Sequence, residues 1–349
     1  MRLLVTGISG FVGKNIVENF SGTALTQPEW RSIELFGTDI LPLKNMKTKA
    51  GNFIKCDLCV YKQIHQIINK IKPDLMLHLA SYSNPALSKI NVYDTIRNNI
   101  ISSLNLLEAV KESDLNTKIL LIGSFDQYLK YNEGIKIVET HSTNPLSPYA
   151  ISKQTQEYLG KFYFNEYGLK VYLTRSFNHF GPHQKQEFVI GFICRQFAEI
   201  LLNFRKERII YLGNPDLIRE FLYVTDAIKA YFYILKYAKP NEIYNVCSNE
   251  PLYLRDIVDL IAKMYDINVK IKRIPEWDRL DEVKIVTGSN AKLKKHTGWK
   301  PEVTLEQGLY KTVEWWIDRL RSTHERGLRS TLLGSWVIAF LGFCALHNV

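Results

Sequence analysis

With 349 residues, 46% of them hydrophobic and 23% charged, the chain can build two lobes around a shared core, since single domains usually run ~100–200 residues. It carries no internal repeat and no low-complexity tract, which excludes solenoid and disordered classes. The net charge of +10 suits a phosphorylated small molecule as well as a scatter of surface lysines, and without a basic run or a nucleic-acid motif no nucleic-acid partner is expected.

In chain order, the apolar run Arg2–Thr6 reads as a strand, Gly7 to Gly13 as a small-residue turn, and residues 14–20 as the start of a helix. A second strand is expected over 33–39. Further strands are expected over 52–56, 75–79, 118–123 and 170–176, with helical periods over 61–71, 98–113 and 148–167. Such alternation predicts an α/β fold, a Rossmann-type doubly wound parallel sheet. Beyond Asn178 come a helix over 189–203, a short strand over 209–212, and helices over 224–237 and 254–265. This gives a nucleotide-binding domain over 1–177, a smaller mixed substrate lobe over 178–318, and a stretch over 224–247 that folds back onto the first domain.

Residues 319–349 form an atypical tail, with arginines at 319, 321, 326 and 329 and then an apolar run over 332–346. That run falls short of the ~17–20 residues a membrane-spanning helix wants. Membrane contact by the tail is therefore a minor reading beside a dispensable extension. The five cysteines make no disulfide framework and no secretory signal is read before the first strand, so a cytoplasmic location is expected. Cys56 and Cys59 have metal spacing but no second pair follows, so no metal is expected.

Three sets of residues carry chemistry. The turn around Gly7, Gly10, Phe11, Val12 and Gly13 lies between a strand and a helix, where bare backbone lets a pyrophosphate approach the helix N-terminus. Asp39, closing the second strand, suits the two hydroxyls of an adenosine ribose and would repel a 2′-phosphate. NAD(H) is thus favoured over NADP(H), although Asp39 also reads as a loop cap before Pro42. Asp57 is placed to reach the adenine, and Leu58, Leu79 and Ala80 complete the cofactor-binding candidates.

Tyr149 and Lys153 stand four apart on one helix face, where an ammonium can stabilise a phenolate and ready it for acid–base work on a sugar hydroxyl. Such a pair is common by chance. Ser124 gives it weight, because it ends a strand where a hydroxyl would sit beside a carbonyl oxygen at the nicotinamide. Asn99 is expected to start a helix and to position the lysine through water.

These residues together resemble the extended short-chain dehydrogenase/reductases, and within their nucleotide-sugar branch the GDP-4-keto-6-deoxy-mannose reductases and GDP-mannose 4,6-dehydratases. The resemblance spans roughly residues 1–318. It rests on Gly7, Gly10 and Gly13, on Ser124, Tyr149 and Lys153, on Asn99, and on the run Arg175 to Pro182, similar to R-x-F-N-H-x-G-P, which lays Asn178 against the nucleotide diphosphate. By the same resemblance Arg219 and Arg279 grip the nucleotide end of the substrate and Glu282 its ribose, while Arg195 lies in a segment closer to the reductases. Asp126 stands where dehydratases place a glutamate base, and its shorter side chain argues mildly against elimination.

The implied substrate is a nucleotide-diphosphate sugar, GDP-linked, and the implied reaction is reduction of its C4 ketone by NAD(P)H. A 4,6-dehydratase or 4-epimerase and a catalytically silent NAD-binding scaffold are the alternatives. A homodimer formed through the helices over 98–113 and 148–167 is inferred by analogy.

Overall fold

The computed structural model describes residues 1–20, 33–42, 52–129, 134–278 and 282–328. The first half runs β1 (Arg2–Thr6), α1 (Phe11–Phe20), β2 (Glu34–Asp39), β3 (Asn52–Lys55), α2 (Tyr61–Ile71), β4 (Leu75–His78), α3 (Pro85–Ile90), α4 (Val92–Glu112), β5 (Lys118–Ser124), α5 (Pro148–Tyr167) and β6 (Lys170–Ser176). The second half runs β7 (His179–Phe180), α6 (Val189–Leu201), β8 (Ile209–Leu212), β9 (Ile218–Glu220), β10 (Leu222–Tyr223), α7 (Val224–Tyr237), β11 (Ile243–Val246), β12 (Pro251–Tyr253), α8 (Leu254–Met264), β13 (Lys270–Arg273), α9 (Ala291–Thr297) and α10 (Leu305–Leu328).

Seven strands form one parallel sheet in the order β11-β6-β5-β4-β1-β2-β3. Leu3, Leu4, Val5, Met76, Leu77, Ile119, Leu120 and Leu121 are all buried, as expected of strands covered by helices on both faces. The chain winds outward from β1 to β3 and then crosses back to β4. That reversal opens a crevice at the C-terminal ends of β1 and β4, where doubly wound sheets bind their ligands. The doubly wound parallel sheet expected from the alternation is the one observed. Strand β11 pairs with β6 through Ile243↔Leu173 to Val246↔Ser176.

Three boundaries differ from the sequence reading. Helix α1 starts at Phe11 because the Gly10 carbonyl accepts the Lys14 N–H at 3.0 Å and closes the first turn directly after the glycines. Helix α4 starts at Val92, so Asn99 lies inside it rather than at its start. Helix α10 runs through the expected boundary at 318 to Leu328, with Trp316 and Ile317 buried and Arg319 over the Trp315 ring at 5.2 Å. The apolar run over 332–346 lies outside the described residues. Among those described, no helix is long and apolar enough to cross a membrane.

Helix α5 holds the sheet and the crevice together. Ser147 caps it by accepting the Ala150 N–H, Pro148 occupies its first turn, and Gly168 ends it in the left-handed conformation. Its buried face is unusually polar and includes Tyr149, Lys153, Gln154, Gln156 and Glu157. Glu157 is clamped by Arg175 of β6, with Nε and Nη2 at 2.9 and 3.0 Å, a two-point geometry only a guanidinium offers. Lys161 adds a third contact at 3.0 Å. Burial alone would raise the Glu157 carboxyl, but the hydrogen bonds and charge of Arg175, helped by Lys161, hold it below its ordinary value.

Removing one partner of such an enclosed pair strands the other charge and costs ~3–5 kcal/mol. Glu157→Gln is therefore predicted to lower the unfolding free energy by about 3 kcal/mol, read from urea denaturation at pH 7. The folded carboxyl titrates below its unfolded value of ~4.3, so the pair's contribution is complete above that pH and is lost as pH falls through the lowered value. The gap between wild type and variant should narrow only below about pH 4. A gap that stays constant down to pH 3 would show that the ion pair contributes no stability.

Candidate active site

The parallel sheet brings the ends of β1, β2, β4, β5 and β6 to one edge, and the candidate residues gather there. Gly7 follows β1 with φ +72°, and a Cβ on it would lie 2.6 Å from the Ala80 nitrogen and 2.9 Å from the Leu79 carbonyl carbon. Only glycine fits between the two strand ends. At Gly10 the one atom near an added Cβ is the Gly7 oxygen at 3.1 Å, so the turn presents an otherwise open face. Gly13 packs against the Ile8 backbone. The N–H groups of Phe11, Val12 and Gly13 open α1, and first-turn amides have no intrahelical acceptors. An open glycine face beside unpaired amides is the cradle a pyrophosphate needs, so these residues fit a dinucleotide.

Leu79 and Ala80 pass over the turn, bonded to the Thr6 carbonyl at 3.2 Å and the Thr6 hydroxyl at 3.3 Å. Asp39 faces the turn: its carboxylate accepts the Ser9 N–H and the Leu41 N–H, each at 3.0 Å. The loop-cap reading of Asp39 is therefore real, and it leaves the carboxylate at the turn. Asp57 accepts the Cys59 N–H at 2.9 Å, and the Leu58 carbonyl accepts from Asn105 at 2.8 Å, which fixes the β3–α2 corner. Cys56 and Cys59 are free thiols whose burial pushes them up, Cys56 to about 11, so neither is activated. Among the described residues no cluster could hold a metal.

At the end of β5 a single 3-10 turn, Phe125–Gln127, is capped by the Ser124 side chain. The Ser124 hydroxyl lies 3.2 Å from the Asp126 nitrogen and 3.4 Å from its carboxylate, and it also faces the Tyr149 phenol. Lys153 completes the group, with Nζ 6.0 Å from the centre of the Tyr149 ring. The sequence expectation that Lys153 lowers the tyrosine is not what the structure gives. Both side chains are enclosed, and desolvation dominates each. Burial, then the Asp126 charge, raises Tyr149 well above its ordinary value despite its hydrogen bond to Ser124, while burial lowers Lys153 to about 7.

Asn99 does not touch Lys153 as part of this group: it accepts the Tyr82 N–H at 2.8 Å and donates to the Ser152 hydroxyl at 2.9 Å. Sequence reasoning missed what does surround the lysine and the turn after β5. Gln156 accepts from Lys153, Ser103 lies beside that amide, and His78 bonds Ser103. Gln127 bonds the Ser124 N–H at 2.8 Å and Glu157 at 2.9 Å, tying the turn to α5. His179 and Ser176 meet the Tyr231 hydroxyl at 2.8 and 3.2 Å beside Tyr149, and His179 Nδ1 is buried without a partner. The i, i+3 spacing of Lys153 and Gln156 was the one available signal.

Of the substrate candidates, Arg219 and Glu282 come together at 3.2 Å, with Arg219 also bonded to the carbonyls of Ile218 and Lys284. Asn178 donates to the Glu220 carbonyl at 3.3 Å, next to this pair in sequence and strand order. Arg195 is turned along α6 to Glu199 at 2.8 Å and lies 6.0 Å from the Trp316 ring, a geometry that serves the packing of α6 on α10. Arg279 lies outside the described residues.

Residues 4–312 match the family described as GDP-mannose 4,6 dehydratase. The chain is 32% identical over 321 residues to GDP-6-deoxy-D-mannose reductase of Pseudomonas aeruginosa, covering 92% of this chain and 98% of that protein. It is 29% identical over 331 residues to dTDP-D-glucose 4,6-dehydratase of Bos taurus, covering 92% and 90%. Among solved structures, RMD from Pseudomonas aeruginosa complexed with NADPH superposes with a TM-score of 0.79 at 31% identity, covering 91% of this chain and 99% of that one. UDP-glucose 4-epimerase of Thermotoga maritima with UDP-glucose also gives 0.79, at 25% identity, covering 92% and 100%.

Proposed function

The chain belongs to the GDP-mannose 4,6-dehydratase family, and from that premise we propose that it reduces the C4 ketone of a GDP-4-keto-6-deoxy-hexose at the expense of a nicotinamide cofactor. The likeness to a GDP-6-deoxy-D-mannose reductase over almost the whole chain supports this reading. The observation that carries it is the gathering of Ser124, Tyr149 and Lys153 beside the glycine turn, in a chain similar over almost its whole length to a reductase. A protonated phenol there can give its proton to a developing alkoxide.

Bound reduced nicotinamide supplies the hydride. Tyr149 protonates the C4 oxygen, Ser124 donates a hydrogen bond to the same oxygen, and Lys153 in its ammonium form steadies the negative charge as it develops. The glycine turn and the first amides of α1 hold the pyrophosphate, with Asp57, Leu58, Leu79 and Ala80 around the adenosine half. Arg219, Arg279 and Glu282 take the GDP end of the substrate and Asn178 its diphosphate, so that the sugar lies between the nucleotide-binding domain and the lobe over 178–318.

A 4,6-dehydratase is the second reading. Asp126 favours it, because its carboxylate sits beside Ser124 and within electrostatic reach of Tyr149, where a base for a C5 proton would stand. Redox balance separates the two. A reductase consumes one reduced cofactor per sugar, and a dehydratase regenerates its own. We expect stoichiometric NAD(P)H oxidation with the 4-keto-6-deoxy sugar, no conversion of GDP-mannose, a loss of ~10²-fold or more in Tyr149→Phe and substantial activity in Asp126→Asn. Conversion of GDP-mannose without net cofactor loss, abolished in Asp126→Asn, would establish the dehydratase, and cofactor binding with neither reaction the silent scaffold.

For the cofactor, Asp39 at the turn favours NADH. Two observations pull the other way: Lys14 on α1 has Arg319 and Lys185 nearby, set against Glu18 and Asp39, and the Pseudomonas relative was solved with NADPH. Placing a carboxylate directly at the ribose outweighs charges set farther back, so fluorescence titration should give tighter binding of NADH, with the preference reduced in Asp39→Asn. Equal affinities, or tighter NADPH, would remove Asp39 from the ribose.

The homodimer is supported by Ile151, Tyr158 and Phe162, which leave an exposed apolar stripe along α5, and by exposed Ile90 at the end of α3 and Val92 and Tyr93 at the start of α4. Sedimentation should show a dimer that Phe162→Asp converts to monomer. A monomeric wild type would dismiss it.

A further inference from the structure

Lys153 is buried with only 3% of its surface exposed, and a buried ammonium needs acceptors for its protons. Its side-chain partner is Gln156, one turn along α5, whose Oε1 lies 3.2 Å from Nζ. The amide can point only one way. Its Nε2 donates to the Ile122 carbonyl of β5 at 3.2 Å, and since that carbonyl can only accept and Lys153 can only donate, the oxygen must face the lysine.

Behind the amide a buried polar row continues. Ser103 lies 3.3 Å from the same Oε1 and donates to the Asn99 carbonyl at 2.7 Å, leaving its oxygen to accept from His78 Nε2 at 3.1 Å. His78 Nδ1 then accepts the Thr6 hydroxyl at 2.8 Å, so the imidazole is neutral with one donor and one acceptor nitrogen. Burial, and then the nearby Lys153 charge, keeps it neutral by lowering it to about 3.

We propose that Gln156 is the positioning residue of the catalytic lysine: its side-chain carbonyl, locked by Ile122, fixes Nζ and supports the ammonium form that the reaction uses. The inference rests on the proposed role of Lys153. The groups placed about the lysine are Tyr149 and Gln156 on α5 and His78 of β4. The two titratable ones, Tyr149 and His78, are both neutral at pH 7. Burial lowers Lys153, and the acceptor that meets its Nζ is the Gln156 amide oxygen at 3.2 Å.

Two variants test this. Gln156→Met keeps the volume and removes the acceptor, and Gln156→Glu replaces the neutral acceptor by a charged one. Spectra of the full chain labelled with [13Cε]lysine, with the Lys153 signal assigned by its loss in Lys153→Arg, read the lysine directly and need no substrate. A hydrogen bond to a charged group is worth about one pH unit of titration. The Lys153 midpoint should fall by about one unit in Gln156→Met and rise by one or more in Gln156→Glu, and the alkaline limb of kcat/KM should move the same way.

Identical midpoints in wild type and Gln156→Glu would overturn the proposal, as would lower activity in either variant with an unmoved pH profile, the result a purely structural role gives. Should Gln156→Met fail to fold, the sign of the shift in Gln156→Glu decides alone. If the wild type oxidises no cofactor with the keto sugar, the proposed reaction fails while the lysine titration still reports on Gln156.

Discussion

A carboxylate enclosed by protein must be neutralised where it stands, and the candidate site is built around that constraint at Glu157. Arg175 supplies the two-point contact, and Gln127 and Lys161 occupy the remaining acceptor positions. Because Arg175 belongs to β6, Gln127 to the turn after β5, and Glu157 to α5, satisfying one charge fixes three elements at once. Ser124 and Asp126 sit on that turn, and Tyr149 and Lys153 precede Glu157 on the same helix. The spacing of the candidate catalytic groups therefore follows from a charge outside that group.

The sheet supplies the second constraint. Parallel strands end at one edge, so residues distant in sequence, from Gly7 to Ser124, come to that edge together. The close pass of Ala80 over Gly7 shows how tight that meeting is, and it explains why the turn must be bare where a bulkier residue would part β1 from β4.

Much of this was legible beforehand. The sheet followed from apolar runs spaced by helical periods, and the glycine turn, Ser124, Tyr149 and Lys153 are local in sequence or end a strand. What could not be read was the polar interior. The buried face of α5 carries Lys153, Gln154, Gln156 and Glu157, and that of α4 carries Thr95, Asn99, Ser102 and Ser103, so neither helix shows which side is inside by hydrophobic period. The start of α4 was misplaced for the same reason. The shifts of Tyr149 and Lys153 were likewise invisible, since a four-residue spacing reports their proximity and not the desolvation that outweighs it. Arg195, drawn toward the substrate by a motif-like run, has Glu199 and Trp316 among its contacts.

The two constraints meet at Lys153. Glu157 follows it by four residues on α5, close enough in helical spacing for an ion pair. Had that pair formed, the lysine would be drawn away from Tyr149 and locked in its charged state. Arg175 prevents this by taking both carboxylate oxygens, and the lysine is left with a neutral amide as its acceptor and no carboxylate acting on it. An ammonium held by an amide is only weakly committed to its charge, so a small change in its surroundings can shift its protonation near neutral pH. The arginine that stabilises the fold is therefore also what leaves the lysine free to respond to the chemistry beside it.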